Sequence, residues 1–225
     1  MKKRNIKGFT LIELLAVIII MGILMMTAIP AVTKYIENSR KDTFWQTAKS
    51  YIDAARTSLL NGEFEVKNSA FSGIVAGDEC DLPPVATVDS TAKTIKFYYT
   101  LIDIKNVEME KGKGKSSFNR AFGSTEGQGY IIVANRGYSL SGGNPDPNMT
   151  YYFIGVDAGK NGIDTMTNES SLGRSKVKKG NGSLTAINNF KHNTTATGAN
   201  LKTVAGANIS GYTVTYNLYT YCVSK

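Results

Sequence analysis

The sequence predicts an α+β protein in which a long N-terminal α-helix packs on an antiparallel β-sheet head. Three observations point there. Residues 9–32 form an apolar run of 24 residues with a single formal charge, Glu13. An amphipathic stretch continues that run to residue 60. The second half of the chain then supplies β-branched and aromatic runs bounded by Gly, Pro and Asn.

Taken in order, residues 1–8 are a short leader carrying Lys2, Lys3, Arg4 and Lys7. Such a cluster holds the N-terminus on the cytoplasmic side and leaves the rest of the chain to face outward. These four bases also account for half of the formal charge of +8. As a helix, residues 9–32 would cover ~36 Å, enough for a bilayer's ~30 Å hydrocarbon core. A cleavable secretory signal would be shorter and would end in a small-x-small site, whereas here Gly8-Phe9 precedes the apolar run. Glu13 sets the segment apart from a plain anchor. A carboxylate at mid-bilayer costs about 2.5–3.5 kcal/mol on insertion scales, so it marks a functional site that needs a partner. A cut after Gly8 would free the Phe9 amine four residues away, within reach in one helix or between staggered helices.

Here the residues carry a resemblance. Lys7-Gly8-Phe9-Thr10-Leu11-Ile12-Glu13-Leu14-Leu15-Ala16-Val17-Ile18 resembles the N-terminal signature of type IV pilins and pseudopilins, over about the first 60 residues. The resemblance implies the pilin fold. It also implies a leader cut between Gly8 and Phe9 by a membrane prepilin peptidase, N-methylation of Phe9, and assembly of apolar helices into a filament core. In that core Glu13 would meet the Phe9 amine, and Pro30 falls where the family's helix is kinked. The implied function is that of a non-enzymatic structural subunit of a type IV pilus, serving adhesion, motility or aggregation. The implied partners are other pilin subunits, the peptidase, the pilus assembly platform and, before assembly, the cytoplasmic membrane. A minor pilin or a type II secretion pseudopilin is the alternative within the family. A nucleic-acid-binding pilin for DNA uptake, using the basic stretch 174–202, is the further alternative, of a different functional class.

Past Pro30 the pattern turns amphipathic. Val32, Ile36, Trp45, Ala48, Ile52, Ala55 and Leu59 recur mostly at three- and four-residue steps, with Tyr35 and Tyr51 beside them. Lys34, Glu37, Arg40, Lys41, Lys49, Asp53 and Arg56 take the other faces. Residues 33–61 are therefore read as a helix continuing into the head and ending at Gly62, which tolerates a left-handed cap. Pro30 removes a backbone donor and should bend or locally melt the helix; Gly22 weakens it further.

The head spans residues 62–225. Residues 63–92 read as a wandering loop with short extended pieces, 94–99 as a strand, and 100–110 as its continuation or a short helix. Lys111-Gly112-Lys113-Gly114-Lys115 reads as a flexible basic loop. Clearer strands follow at 129–135, 150–157 and 212–222. Three or four such strands would make an antiparallel sheet able to cover the helix stripe. Residues 159–210, rich in Asn, Gly, Thr and Lys, read as a long surface loop.

The chemistry is sparse. Cys80 and Cys222 are the two cysteines, and export makes a disulfide possible; closing ~140 residues would contribute on the order of 5 kcal/mol in the chain-entropy model. Neither sits in a C-x-x-C pair and His192 is the single histidine, which argues against zinc and against a Ser-His-Asp hydrolase. Gly123, Gly127 and Gly129 lack the order of a phosphate-binding loop. Asp157, Asn161 and Asp164 surround a glycine turn, and some pseudopilins hold calcium in C-terminal loops. Gly159 and Asn168 spoil an EF-type pattern, however, and an Asp/Asn-rich turn explains the same residues, so no cofactor is predicted. Residues 169–202 carry Arg174, Lys176, Lys178, Lys179, Lys191 and Lys202 against Glu169 alone. That excess would suit an acidic subunit face, a cell-wall polymer, nucleic acid or plain solvent. The Lys-rich loops fit a cell envelope of either type; a Gram-positive host is favoured.

Overall fold

The computed structural model describes residues 8–69, 73–84, 87–104, 107, 121–122, 128–135, 150–179 and 213–225. The chain divides into two compact units, Met1–Arg40 and Lys41–Lys225. Helix α1, Leu11–Leu60, begins in the first and ends in the second. Strands β1 (Phe64–Ser69), β2 (Thr87–Asp89), β3 (Thr94–Asp103), β4 (Gln128–Asn135), β5 (Thr150–Asp157), β6 (Asn161–Asn168), β7 (Val177–Lys179) and β8 (Thr213–Ser224) follow.

In the first unit α1 is long and apolar enough to cross a membrane by length and composition. Its large apolar side chains, from Leu11 through Ile36, are exposed in the single chain. The helix runs through Pro30 without a break, so of the bend or local melting expected there the melting does not occur. Proline removes one donor and crowds one carbonyl, a penalty of ~3 kcal/mol. Ala28 and Ala31 on either side are strong helix formers, and Thr33 donates a hydroxyl hydrogen bond to the Ile29 carbonyl at 2.9 Å.

In the second unit α1 buries Phe44, Ala48, Tyr51, Ile52, Ala55, Ser58 and Leu59. The three- and four-residue spacing holds, but the stripe starts at Phe44. Trp45 lies one step off it, half-buried, with its indole N–H donated to Asp42 Oδ1 at 3.2 Å. Val32 and Ile36, expected in the buried stripe, are exposed, as is Tyr35 beside it. The helix ends as anticipated, with Gly62 at a φ of 67°.

The sheet has eight described strands in the order β1-β8-β3-β4-β5-β6-β7, with β2 pairing β3 at one side. This is more than the three or four expected, because β1, β2, β6 and β7 lie in stretches that read as loop. In particular β6 and β7, with single 3-10 turns at Glu169–Ser171 and Arg174–Lys176, occupy the first part of the expected 159–210 loop. Ile163 and Val177 are buried there and pair with each other. Residues 111–115 and 180–210 lie outside the described residues. Residues 100–103 continue β3, as one of the two sequence readings had it.

The sheet is not wholly antiparallel. β3 and β8 run parallel, from Thr94 opposite Thr213 to Ile102 opposite Cys222. A parallel pair needs a long crossover, and the chain between them supplies one containing β4 to β7.

Phe64, Val66, Ile102, Ile131, Val133, Tyr152, Ile154 and Val156 form the core with the helix stripe. Ile95, Phe97, Tyr99, Ile132 and Phe153 are buried as well. By strand alternation they line the other face, so the central strands are apolar on both sides.

Gly129 marks a close approach of backbone to backbone between β4 and β5. A Cβ there would lie 2.5 Å from the Gly155 carbonyl oxygen, 3.0 Å from Ile104 Cγ2 and 3.1 Å from the Val156 Cα. The closest obstacle is backbone and cannot swing away. Gly129→Ala is therefore expected to destabilise the head by about 1–3 kcal/mol, read as a lower denaturant midpoint at unchanged slope.

Candidate functional site

The N-terminal end of α1 is built by Thr10. Leu11 is the first helical residue, which makes Thr10 the N-cap and Glu13 the third helical position. The Glu13 carboxylate accepts both the Thr10 backbone N–H and the Thr10 hydroxyl on Oε2, each at 2.9 Å. The Glu13 N–H returns to Thr10 Oγ1 at 3.3 Å, and the Leu14 N–H bonds the Thr10 carbonyl at 3.2 Å. This is a reciprocal capping box, and an anion in the first turn also meets the positive end of the helix dipole. Thr10 was missed as a site residue although its T-x-x-E spacing was legible. By sequence Glu13 reads as a charge in need of a cation; the capping box gives it a second role.

Phe9 precedes the cap and is 87% exposed. Gly8 is exposed too, and a Cβ added there would meet nothing within 4 Å. Nothing within the described chain requires a glycine at position 8. Gly22 is likewise open, although a mid-helix glycine costs about 1 kcal/mol relative to alanine.

Cys80 and Cys222 are joined, with a Cα–Cα distance of 6.3 Å across 142 residues of sequence. Both are buried. The bond ties the segment after β1 to β8, beside Thr220, whose hydroxyl lies 3.0 Å from that of Thr100.

The expected oxygen cluster resolves into a turn. Asp157 is buried and its Oδ1 accepts the Gly159 N–H at 2.8 Å, while the Ala158 N–H bonds the Asn161 carbonyl at 2.9 Å. Gly159 takes a φ of 77°, as such a turn requires. The Asp164 side chain lies outside the described residues. Among the described residues no three acidic, His or Cys groups gather as a metal site.

The basic stretch is partly paired. Arg174 grips Asp42 with both Nε and Nη2, the former at 2.8 Å to Oδ1, and this pairing holds the Asp42 carboxyl below its usual range. Arg56 reaches Glu169 at 2.5 Å and Asp53 at 2.8 Å, and stacks 4.4 Å from the centre of the Tyr152 ring. These clamps fix the 3-10 turns to the C-terminal part of α1. Lys191, His192 and Lys202 lie outside the described residues.

Residues 3–29 match the prokaryotic N-terminal methylation motif. The chain is 33% identical over 113 residues to the type IV major fimbrial protein FimA of Dichelobacter nodosus, covering 49% of this chain and 70% of that protein. The chain belongs to the type IV pilin family. A second relative of this pilin, FimA of Dichelobacter nodosus strain VCS1703A, is 31% identical over 115 residues, covering 50% of this chain and 71% of the relative. No solved structure is a significant match to the pilin. Its long apolar helix and antiparallel-rich sheet fit the pilin fold, and as a pilin it is a structural subunit that assembles with other pilin subunits into a filament. The apolar helix fits a membrane-anchored form that precedes the surface pilus.

Proposed function

We propose that this pilin forms the shaft of a type IV pilus after removal of residues 1–8 between Gly8 and Phe9. A membrane prepilin peptidase makes the cut and methylates the new Phe9 amine. Through a pilus assembly platform, residues 9–32 then leave the bilayer for the filament core, residues 33–61 continue the helix, and 62–225 form the outer head. The carrying observation is the first part of the helix: from Leu11 to Val32 its large apolar side chains are exposed all round in the single chain, and the one carboxylate among them, Glu13, sits at the N-terminal end. Relative to exposure in water, burial of ~20 such side chains is worth roughly 1.5–3 kcal/mol each, so once outside the bilayer these helices stay in the filament core, provided the one charge among them is paired. The role is structural, with no catalysis of its own. Two relatives described as major fimbrial proteins support the shaft over a minor pilin or pseudopilin. They lend nothing to the expected Gram-positive host, nor to nucleic-acid binding, from which the Arg174–Asp42 pair withdraws one cation.

The test is the N-terminal residue and mass of the protein in sheared filaments. A mature chain beginning at N-methylated Phe9, abundant in the fibres, is the expected result. Trace amounts confined to fibre tips would move it to the minor pilins. Gly8→Phe should leave full-length precursor in the membrane with its head folded, because position 8 has no packing role within the described chain. Normal processing of that variant would remove Gly8 from the cleavage site.

A further inference from the structure

The first part of α1 is matched in length to a bilayer by its charges. Between Glu13 and Lys34 lie 20 residues, 14–33, without a formal charge. The helix runs unbroken across them, so at 1.5 Å of rise each they cover ~30 Å, the thickness of the hydrocarbon core. Aromatic side chains respect the same limits. Phe9 precedes Glu13, Tyr35 follows Lys34, and no aromatic residue stands between Phe9 and Tyr35. Tyr35 is 76% exposed in the single chain.

Two charges spaced by the thickness of the layer they bracket fix the depth of the helix. Sliding α1 either way draws one of them into hydrocarbon, so a single axial position keeps both in the headgroup layers. Glu13 then lies at the cytoplasmic boundary, away from the midplane where a carboxylate costs most. Lys34 and Tyr35 reach the outer boundary. There a tyrosine ring lies against acyl chains with its hydroxyl in the polar layer, and a lysine stem does the same with its ammonium. Val32, three residues back and exposed, extends the apolar contact of the Tyr35 face towards the acyl chains.

We propose that Lys34 and Tyr35 form an outer interfacial anchor that binds phospholipid headgroups and, with Glu13, sets the depth of α1 in the membrane before assembly. The ammonium takes a lipid phosphate, and the phenol hydroxyl donates to a phosphate or ester oxygen. This deepens the membrane-anchored stage of the filament reading and rests on it. The partner is a lipid surface, because the spacing of the two charges matches a bilayer and a protein partner would impose no such length. Removing the pair would lengthen the uncharged run to residues 14–36, up to Glu37. A run longer than the hydrocarbon layer no longer has one fixed depth, and more of its outer end is drawn into the lipid.

Fluorescence quenching by brominated lipids tests this on the full chain, in vesicles of phosphatidylethanolamine and phosphatidylglycerol. Trp45 is the chain's single tryptophan, so W45F/I23W reports the middle of the run and W45F/Y35W its outer boundary. Bromine near the acyl-chain ends should quench the first about twofold more than bromine near the headgroups, and the order should reverse for the second. Tryptophan favours interfaces by itself, so a second measurement leaves Tyr35 in place. In spheroplasts N38C should react with a membrane-impermeant maleimide while the Cys80–Cys222 bond stays silent. Adding K34L/Y35L should slow that reaction about threefold or more. With W45F/I23W deeply quenched, a W45F/Y35W signal that is unquenched or quenched from the chain ends overturns the anchor. Unchanged N38C labelling in K34L/Y35L overturns it equally. Absence of quenching in W45F/I23W would instead defeat the membrane-anchored reading, and the anchor with it.

Discussion

Glu13→Gln is expected to abolish fibre assembly while leaving the precursor inserted, cleaved and folded. The substitution keeps the size of the side chain and an oxygen able to accept the Thr10 N–H, so the helix start survives. Only the charge is lost. If the carboxylate meets the Phe9 amine in the filament core, the variant leaves that ammonium buried without a counter-ion. Breaking a buried pair from one side costs about 3–5 kcal/mol, and at 1.4 kcal/mol per tenfold each added subunit is disfavoured by two orders of magnitude or more. Glu13→Ala should fail as well, with a further loss of about 1 kcal/mol from the capping box. Thr10→Ala separates the two roles. It removes the hydroxyl cap and keeps the charge, so fibres should persist at reduced yield. The measurement is sheared fibre at matched membrane levels. Wild-type fibre numbers from Glu13→Gln would show that packing alone sets the register.

Removing the disulfide should be the most damaging change to the head. Cys80→Ala with Cys222→Ala avoids stranding a hydroxyl at two buried positions. Opening a 142-residue loop forfeits about 5 kcal/mol in the chain-entropy model, a large part of the ~5–15 kcal/mol that holds a typical domain folded. At about 2–4 °C per kcal/mol for a unit of this size, the head's melting temperature should fall by roughly 10–20 °C. Thermal unfolding of the full chain in detergent, with and without reductant, measures it. A shift within about 2 °C would mean that the core and the Thr100–Thr220 contact hold the two segments unaided.

How legible this was depended on how local the signal is. α1 was readable nearly to the residue, because its apolar run and its three-to-four spacing are written in neighbouring positions. β4, β5 and β8 were readable for the same reason, being β-branched or aromatic runs with clear boundaries. β1, β6 and β7 were not. Their Asn, Lys, Glu and Thr become strand through partners far away in sequence, such as Val66 opposite Cys222 and Ile163 opposite Val177. The parallel β3–β8 register is wholly a long-range fact. At the N-terminus the reverse happened. Thr10-x-x-Glu13 is a short-range motif in plain view, hidden behind the stronger question of why a membrane segment should hold a charge.

The position of β8 sets the order in which this head can be completed. The strand lies between β1 and β3, yet it is the last of the described strands in the sequence. Until residues 213–224 arrive, β1 has no neighbour on that side, β3 shows an open edge, and Cys80 has no partner. A chain shortened before β8 therefore leaves the sheet unfinished, with Cys80 lacking its disulfide partner. Closure of the head thus waits on its last described strand: no N-terminal portion of the chain can complete this sheet alone.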